Sequence, residues 1–246
     1  MEGDEDMIDV QDTLQEVLSK NNENHEHGPR VPGIYYASES LQCHRKVYFK
    51  IVDPQVDDDL PLGLFYMGKA VEEAIIHHIR MKYGLDVQEQ VRLDIEIAPG
   101  IRIHGYLDFC IKDAKGKIKQ IFEIKSTSMI RYMEKEKEAK PHHRGQLMCY
   151  LVGFKCLEGA VLYVERGDLL KMKQFNDCLD EDLWQEIVDG FVSVTRHIEK
   201  GVPPPPIPVE EWECKYCNRS KECTAERREE GIVRTKDGLK KKKVKR

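Results

Sequence analysis

The stretch Ile101–Lys125, IRIHGYLDFCIKDAKGKIKQIFEIK, decides the reading of the chain. In its first half Ile101, Ile103, Leu107, Phe109 and Ile111 alternate with Arg102, His104, Tyr106 and Asp108, the period-two pattern of a strand with one apolar and one polar face. In its second half Ile118, Phe122 and Ile124 form one face, and Ile121, Glu123 and Lys125 the other. Asp113-Ala-Lys-Gly-Lys117 lies between them, a turn signal with Gly116 at the expected positive-φ position.

A two-residue turn at Lys115-Gly116 closes this hairpin with Phe109 against Phe122 and Leu107 against Ile124. The same register sets Asp108 opposite Glu123, with Lys125 two residues on along the same face. Opposed like charges on a sheet are unfavourable, so two facing carboxylates want a cation between them. Hard divalent cations such as Mg²⁺ take oxygen ligands of this kind and keep waters for chemistry. A lysine beside the ion can orient a nucleophilic water or stabilise charge on a phosphate. An ordinary solvated strand face shows the same pattern, and the hairpin alone does not separate the two.

Other residues do. GYLDF (105–109) followed by FEIKS (122–126) resembles the metal-site core of the PD-(D/E)xK nucleases, in their RecB-like branch. Upstream, 68–83 reads as a helix with Val71, Ile75, Ile76 and Ile79 on its apolar side. RecB-like nucleases carry Gly-x-x-x-His on this helix; here Gly68-Lys-Ala-Val-Glu72 keeps the spacing with Glu in place of His. Glutamate is a competent hard ligand. His77, five residues on and off the same face, is the other candidate, and Glu72 is preferred. Downstream, Pro141 opens a helix, PHHRGQLMCYLVGF. Gln146 and Tyr150, four apart, share one face of it, with His142 or His143 one turn earlier. The pair resembles the Gln-x-x-x-Tyr motif that borders the active site and the DNA in RecB-like nucleases.

The chain has 246 residues, 40% of them hydrophobic, enough for one large domain with a real core. Its net charge of −5 conceals an uneven spread. Residues 1–26 carry nine acidic residues against one lysine, and 226–246 ten basic against four acidic. No signal peptide or membrane-length apolar run is visible. Eight cysteines without a secretion signal then predict a reducing, cytoplasmic setting and metal ligation rather than disulfides.

Along the rest of the chain, 1–30 is acidic and expected to be disordered apart from one short helix through Val10, Leu14 and Leu18; His25 and His27 read as tail residues. Ser38 is the expected N-cap of a helix containing Cys43. Residues 126–139 predict a helix or mobile arm, 160–165 a buried strand, and 180–200 an amphipathic helix. Pro203–Pro206 is a stiff spacer, and the basic tail from 226 on is expected to be disordered and available for salt-sensitive DNA contact.

The spacer leads to WECKYCNRSKEC (212–223). Cys214, Cys217 and Cys223 can share one metal centre but are one ligand short of a closed site. Cys110, Cys149, Cys156 and Cys178 have no ligand context, which leaves Cys43. Spacing alone leaves zinc and an iron–sulfur cluster open. One remote cysteine, the nuclease motifs, then three clustered cysteines is the order that resembles the CRISPR-associated RecB-like iron–sulfur exonuclease family, often called Cas four. The resemblance covers about residues 35–225 and implies a [4Fe–4S] cluster on Cys43, Cys214, Cys217 and Cys223.

The family reading implies an α/β fold, a mixed central sheet flanked by helices with a C-terminal cysteine-cluster cap. Residues 31–225 form the nuclease domain, Cys43 and 212–223 its cap. It further implies that Asp108, Glu123, the Ile124 carbonyl and Glu72 hold Mg²⁺ or Mn²⁺, that Lys125 positions the attacking water, and that Gln146 and Tyr150 orient DNA. The implied substrate is single-stranded DNA cut from an end, in CRISPR spacer acquisition beside the integrase or in DNA repair. A non-catalytic DNA-binding adaptor with the same fold and cluster is the rival reading.

Overall fold

A computed structural model describes residues 10–24, 30–54, 62–205, 214, 217–229, 232–235 and 238–241. The chain runs through α1 (Val10–Asn24), β1 (Ile34–Tyr36), a 3₁₀ turn at Ala37–Glu39, α2 (His44–Val52) and α3 (Leu62–Tyr83). Then come β2 (Val87–Ala98), β3 (Ile101–Lys112), β4 (Ile118–Thr127), α4 (Arg131–Glu134), α5 (Pro141–Gly153), β5 (Glu158–Glu165) and β6 (Asp168–Cys178). α6 (Glu181–Lys200), α7 (Ser220–Glu229) and a hairpin of β7 (Ile232–Thr235) and β8 (Gly238–Lys241) follow.

The main sheet is mixed, in the order β1-β3-β4-β5-β6, with β2 also on β3. β1 and β5 join their neighbours β3 and β4 in parallel, and the other pairs are antiparallel. Helices cover both faces, as the sequence predicts. One core gathers Tyr35, Val47, Tyr48, Ile103, Leu107, Leu147, Leu151, Ile187 and Phe191 from α2, α5, α6 and the sheet. A smaller one packs Val71, Ile75 and Ile76 of α3 on Phe109, Ile124, Leu162 and Val164. α5 is buried nearly all round from Gly145 to Leu151, which explains a helix with so little amphipathic contrast. Asp180 caps α6 by accepting the Leu183 N–H at 3.0 Å. Among the described residues no helix is long and apolar enough to cross a membrane.

The hairpin keeps its expected register by a different route. Phe109 does pair with Phe122, their rings stacked at 4.7 Å and 8°, worth about 0.5–1.5 kcal/mol beyond their burial. The turn has three residues, Ala114-Lys115-Gly116, closed by Gly116 N–H to the Asp113 carbonyl (2.9 Å) and Asp113 N–H to the Lys117 carbonyl (2.8 Å). Gly116 sits at φ 75°, as a turn of this kind requires. An irregularity between Ile111 and Lys112 then restores the register. Beyond Phe109 and Phe122 the ladder stops, so Leu107 and Ile124 are not paired and Asp108 does not face Glu123 as a ladder partner. The odd residues of β3 also serve two cores: Leu107 packs in the larger, Phe109 in the smaller. The change falls at Asp108, beside Gln90 of β2, which has φ 49° and interrupts the β2–β3 pairing.

Other expectations shift. Ser38 belongs to the 3₁₀ turn, and Cys43 is the residue before the first turn of α2. Buried Glu39, held by Arg30, fixes that bend and ends any helix from Ser38. β4 continues to Thr127, because parallel pairing with β5 runs that far, and only Arg131–Glu134 of the following segment is helical. β2 and β6 add two long strands, and Cys178 ends β6 instead of lying in a connection. Within 1–30, α1 is a 15-residue helix. After 225, α7 extends to Glu229, and β7 and β8 form a hairpin. His25, His27 and Pro206 lie outside the described residues.

Candidate active site

β3 has β2 along one side, but its other side is shared. β1 pairs only Arg102–His104, and β4 begins at Phe109. On that side, between them, Gly105–Asp108 has no strand neighbour among the described residues. Two groups fill this gap. The Tyr150 hydroxyl of α5 donates to the Tyr106 carbonyl at 2.9 Å, and the Ile124 N–H donates to Asp108 Oδ2 at 2.6 Å. Gly105 makes the first possible: a Cβ there would lie 3.0 Å from Tyr150 Oη and 3.1 Å from the Ala37 Cβ.

Three carboxylates and one ammonium meet at this gap. Glu123 is 1% exposed; its Oε1 accepts from Lys125 Nζ at 2.5 Å, while Oε2 is buried without a hydrogen-bond partner. Burial pushes the Asp108 carboxyl well above the usual carboxylate range, and the neighbouring Glu123 adds to the shift. Glu123 is itself raised by burial, against the pull of Lys125. Glu72 reaches in from α3 with its Oε1 accepting from Gln90 Nε2 at 2.5 Å. Burial, then the Asp108 charge, lifts its pKa to about 7. Burial alone would lower the Lys125 pKa, but Glu123 and Asp108 hold it above its ordinary value, so the side chain stays an ammonium. Lys69 also acts on Glu72, so among the described residues two cations face three carboxylates and the site is short of positive charge.

Among the described residues no three His, Cys, Asp or Glu side chains stand as a closed set of metal ligands. Asp108 is turned onto a backbone N–H and Glu123 onto Lys125. The donor chemistry nevertheless fits a hard divalent ion: all-oxygen ligands, crowded negative charge and the partnerless Glu123 Oε2. Glu72 is the α3 residue that interacts with Asp108; His77 is exposed, its ring against His78 at 5.3 Å. Ile124 enters the site through its N–H.

Gln146 and Tyr150 are both buried, with Gln146 Nε2 donating to Tyr150 Oη at 3.3 Å. They form one wall of a groove of about 640 Å³. Of the two histidines a turn earlier, His143 bonds the sheet: its Nδ1 lies 2.7 Å from the hydroxyl of Tyr163, which also accepts the Lys140 N–H at 3.0 Å. Tyr163 is the ladder partner of Lys125 on β5. Burial and the nearby Lys125 charge press the His143 pKa far down, so the ring is neutral. The sequence signal for this pair was a lone tyrosine in the apolar run Ala160–Val164, one strand over from Glu-Ile-Lys.

The cysteine segment docks on α2. Arg219 lies 4.7 Å over the Phe49 ring and bonds the Asp53 carbonyl (3.1 Å) and carboxylate, and Arg45 Nη1 donates to the Pro204 carbonyl at 2.9 Å. Cys214, Cys217 and Cys223 follow one another through short-range bonds, Cys217 N–H to the Cys214 carbonyl and Cys223 N–H to the Arg219 carbonyl. Cys43 stands at the start of α2, the helix they dock on. No disulfide forms among the described cysteines. Cys110, Cys149 and Cys156 are buried, and Cys149 Sγ lies 3.0 Å from Ser40 Oγ.

No family model matches the chain. It is 25% identical over 217 residues to the CRISPR-associated exonuclease Cas4 of Saccharolobus solfataricus, an alignment covering 85% of this chain and 96% of that protein. The crystal structure of SSO0001 shares the fold, with a TM-score of 0.62 and 20% identity over 87% of this chain and 96% of that one. Over most of its length the chain is thus similar in sequence to a Cas4 exonuclease and shares the mixed α/β fold of SSO0001.

Proposed function

We propose that this protein is a divalent-metal-dependent deoxyribonuclease that degrades single-stranded DNA from its ends. The observation that carries this is Asp108 and buried Glu123 brought to one gap in the sheet beside Lys125, with Glu123 Oε2 left partnerless. Such a cost in buried charge persists where function requires it. Asp108, Glu123, Glu72 and the Ile124 carbonyl would hold Mg²⁺ or Mn²⁺. The ion, when bound, supplies a water of lowered pKa and neutralises charge on the scissile phosphate.

The chain's own groups do the rest. The Lys125 ammonium, anchored on Glu123, positions a water and offers a donor to a phosphate oxygen. Tyr150 and Gln146 hold the Gly105–Asp108 backbone at the gap in the sheet and so fix where a DNA strand meets Asp108. The core cluster packed behind Asp108 excludes water from one side of the site. Cys43, Cys214, Cys217 and Cys223 would hold a [4Fe–4S] cluster; the docking of their segment on α2, the helix that Cys43 precedes, supports this reading. Its role is a staple between α2 and the chain end. CRISPR spacer acquisition beside the integrase is the setting the Cas4 relationship favours, with DNA repair the other.

The test is degradation of end-labelled single-stranded DNA with Mg²⁺, with Mn²⁺ and with EDTA, beside Lys125→Ala. Metal-dependent cutting lost in the variant is the expected result. A folded, cluster-loaded protein that cuts with neither metal would sink the nuclease reading in favour of a DNA-binding adaptor. A brown protein absorbing near ~400 nm supports the cluster, and a colourless one with stoichiometric zinc rejects it.

A further inference from the structure

The gap in the sheet opens into the groove of about 640 Å³, and most of its lining lies outside the nuclease motifs: Arg30, Tyr36, Lys50, Arg92 and His104, with Tyr106 of the GYLDF stretch beside them. Their arrangement follows from strand register. Tyr36 of β1 is the parallel partner of His104, and Arg92 of β2 is the antiparallel partner of Tyr106. His104 and Tyr106 follow at every second residue of β3, about 7 Å apart, and Asp108 stands two residues further on, where the strand changes the core its odd residues serve. A row of rings and cations therefore leads along one strand to Asp108.

The chemistry is that of a single-strand platform. Tyr106 is 58% exposed, an unusual position for a large ring in mid-strand. The Arg30 guanidinium lies 4.4 Å over the Tyr36 ring. Charge in the groove is in positive surplus, since Arg30 and Lys50 share one carboxylate, Glu39, which is buried beneath them at 3% exposure. Arg92 is held loosely, 3.7 Å from Asp94, and its side chain is 64% exposed. Bases stack on aromatic faces regardless of sequence while cations track the phosphates. A duplex keeps its bases stacked on one another and has no use for an exposed tyrosine here.

We propose that the groove between β1 and β2 binds single-stranded DNA on its way to Asp108, with bases on Tyr106 and Tyr36 and phosphates on Arg92, Lys50 and Arg30. This rests on the nuclease reading above and names its substrate path.

Binding of a dye-labelled oligothymidylate to the full-length protein, followed by anisotropy in EDTA so that nothing is cut, tests it. Tyr106→Ala should weaken binding by about tenfold and Tyr106→Phe should leave it unchanged. Arg92→Gln should lower the slope of log affinity against log salt by about 0.7. Melting curves confirm that each variant is folded; should Tyr106→Ala fail to fold, the Arg92→Gln slope decides alone. Folded variants that bind as the wild type does, with an unchanged slope, overturn the groove even if the wild type cuts DNA. Weakened binding in the variants of a protein that cuts nothing would uphold the groove and reject the nuclease.

Discussion

Asp108 Oδ2 accepts the Ile124 N–H at 2.6 Å at the point where β3 and β4 cease to pair. The carboxylate thus completes the hydrogen bonding of β4 as well as standing at the candidate site. Asp108→Ala would leave that N–H unsatisfied, a loss of about 1–3 kcal/mol. Asp108→Asn keeps an acceptor and removes a charge that burial and Glu123 both oppose. Asn should therefore fold at least as stably as the wild type in chelator, while both variants lose cutting. Urea melts beside the end-labelled DNA assay separate the two roles; equal stability for Ala and Asn would contradict the structural one.

Among the described residues Lys125 is the cation paired with Glu123, a carboxylate that is 1% exposed. Lys125→Met strands the Glu123 charge, and breaking one side of such a pair costs about 3–5 kcal/mol. Lys125→Met with Glu123→Gln should recover most of that stability and none of the activity. A single variant as stable as the wild type would show that Glu123 is already neutral in the metal-free protein.

The sequence made the hairpin legible because its alternation and turn residues are local. Phe109 against Phe122 follows from them. What it could not show is where pairing stops. That depends on Gln90 taking a left-handed backbone at β2 and on Tyr150 arriving from α5, both set by tertiary packing. Glu72 was readable from its spacing after Gly68, but its preference over His77 becomes physical only once α3 lies on the sheet. β2 carried its own signal, Val91, Leu93, Ile95 and Ile97 alternating with Arg92, Asp94 and Glu96. β6 did not: Leu169 and Leu170 are adjacent, and its apolar residues lie on an edge strand that stays largely exposed.

Tyr163 ties α5 to the strand beside Lys125, bonding His143 at 2.7 Å and the Lys140 N–H at 3.0 Å. Tyr163→Phe removes both bonds while keeping the ring. It should cost about 1–3 kcal/mol of stability, since a buried donor loses its acceptor. It should also lower kcat more than it raises KM, because the wall beside Lys125 loosens while the DNA groove is untouched. A change in KM alone would place Tyr163 in DNA binding instead.

Glu39 gives a defined acid response. Burial would raise its pKa, but the Arg30 hydrogen bonds and the Lys50 charge hold it below the ordinary value. The unfolded chain takes up this proton near pH ~4.3 and the folded protein only lower. Its contribution is therefore fully present above that pH and is lost as pH falls through the depressed folded value. The stability difference between wild type and Glu39→Gln, about 2 kcal/mol, should be constant from neutral pH down to about 5 and shrink below about 4. A difference that grows in acid would reverse the sign of the argument.

Gly105 offers the sharpest test that the gap in the sheet is built for its contents. A methyl group there meets Tyr150 Oη at 3.0 Å, Ala37 Cβ at 3.1 Å and Tyr150 Cε1 at 3.2 Å. The 3₁₀ turn that carries Ala37 is anchored by buried Glu39, so the tyrosine must give way. Moving it breaks the bond to the Tyr106 carbonyl and strains a helix that is buried nearly all round from Gly145 to Leu151. Gly105→Ala should lose about 1–3 kcal/mol and most cutting activity. The double variant Gly105→Ala with Tyr150→Phe relieves the closest contact and should restore stability more than activity. Full activity in Gly105→Ala would mean that the Tyr150 bond to β3 is dispensable and that the strand holds Asp108 in place without it.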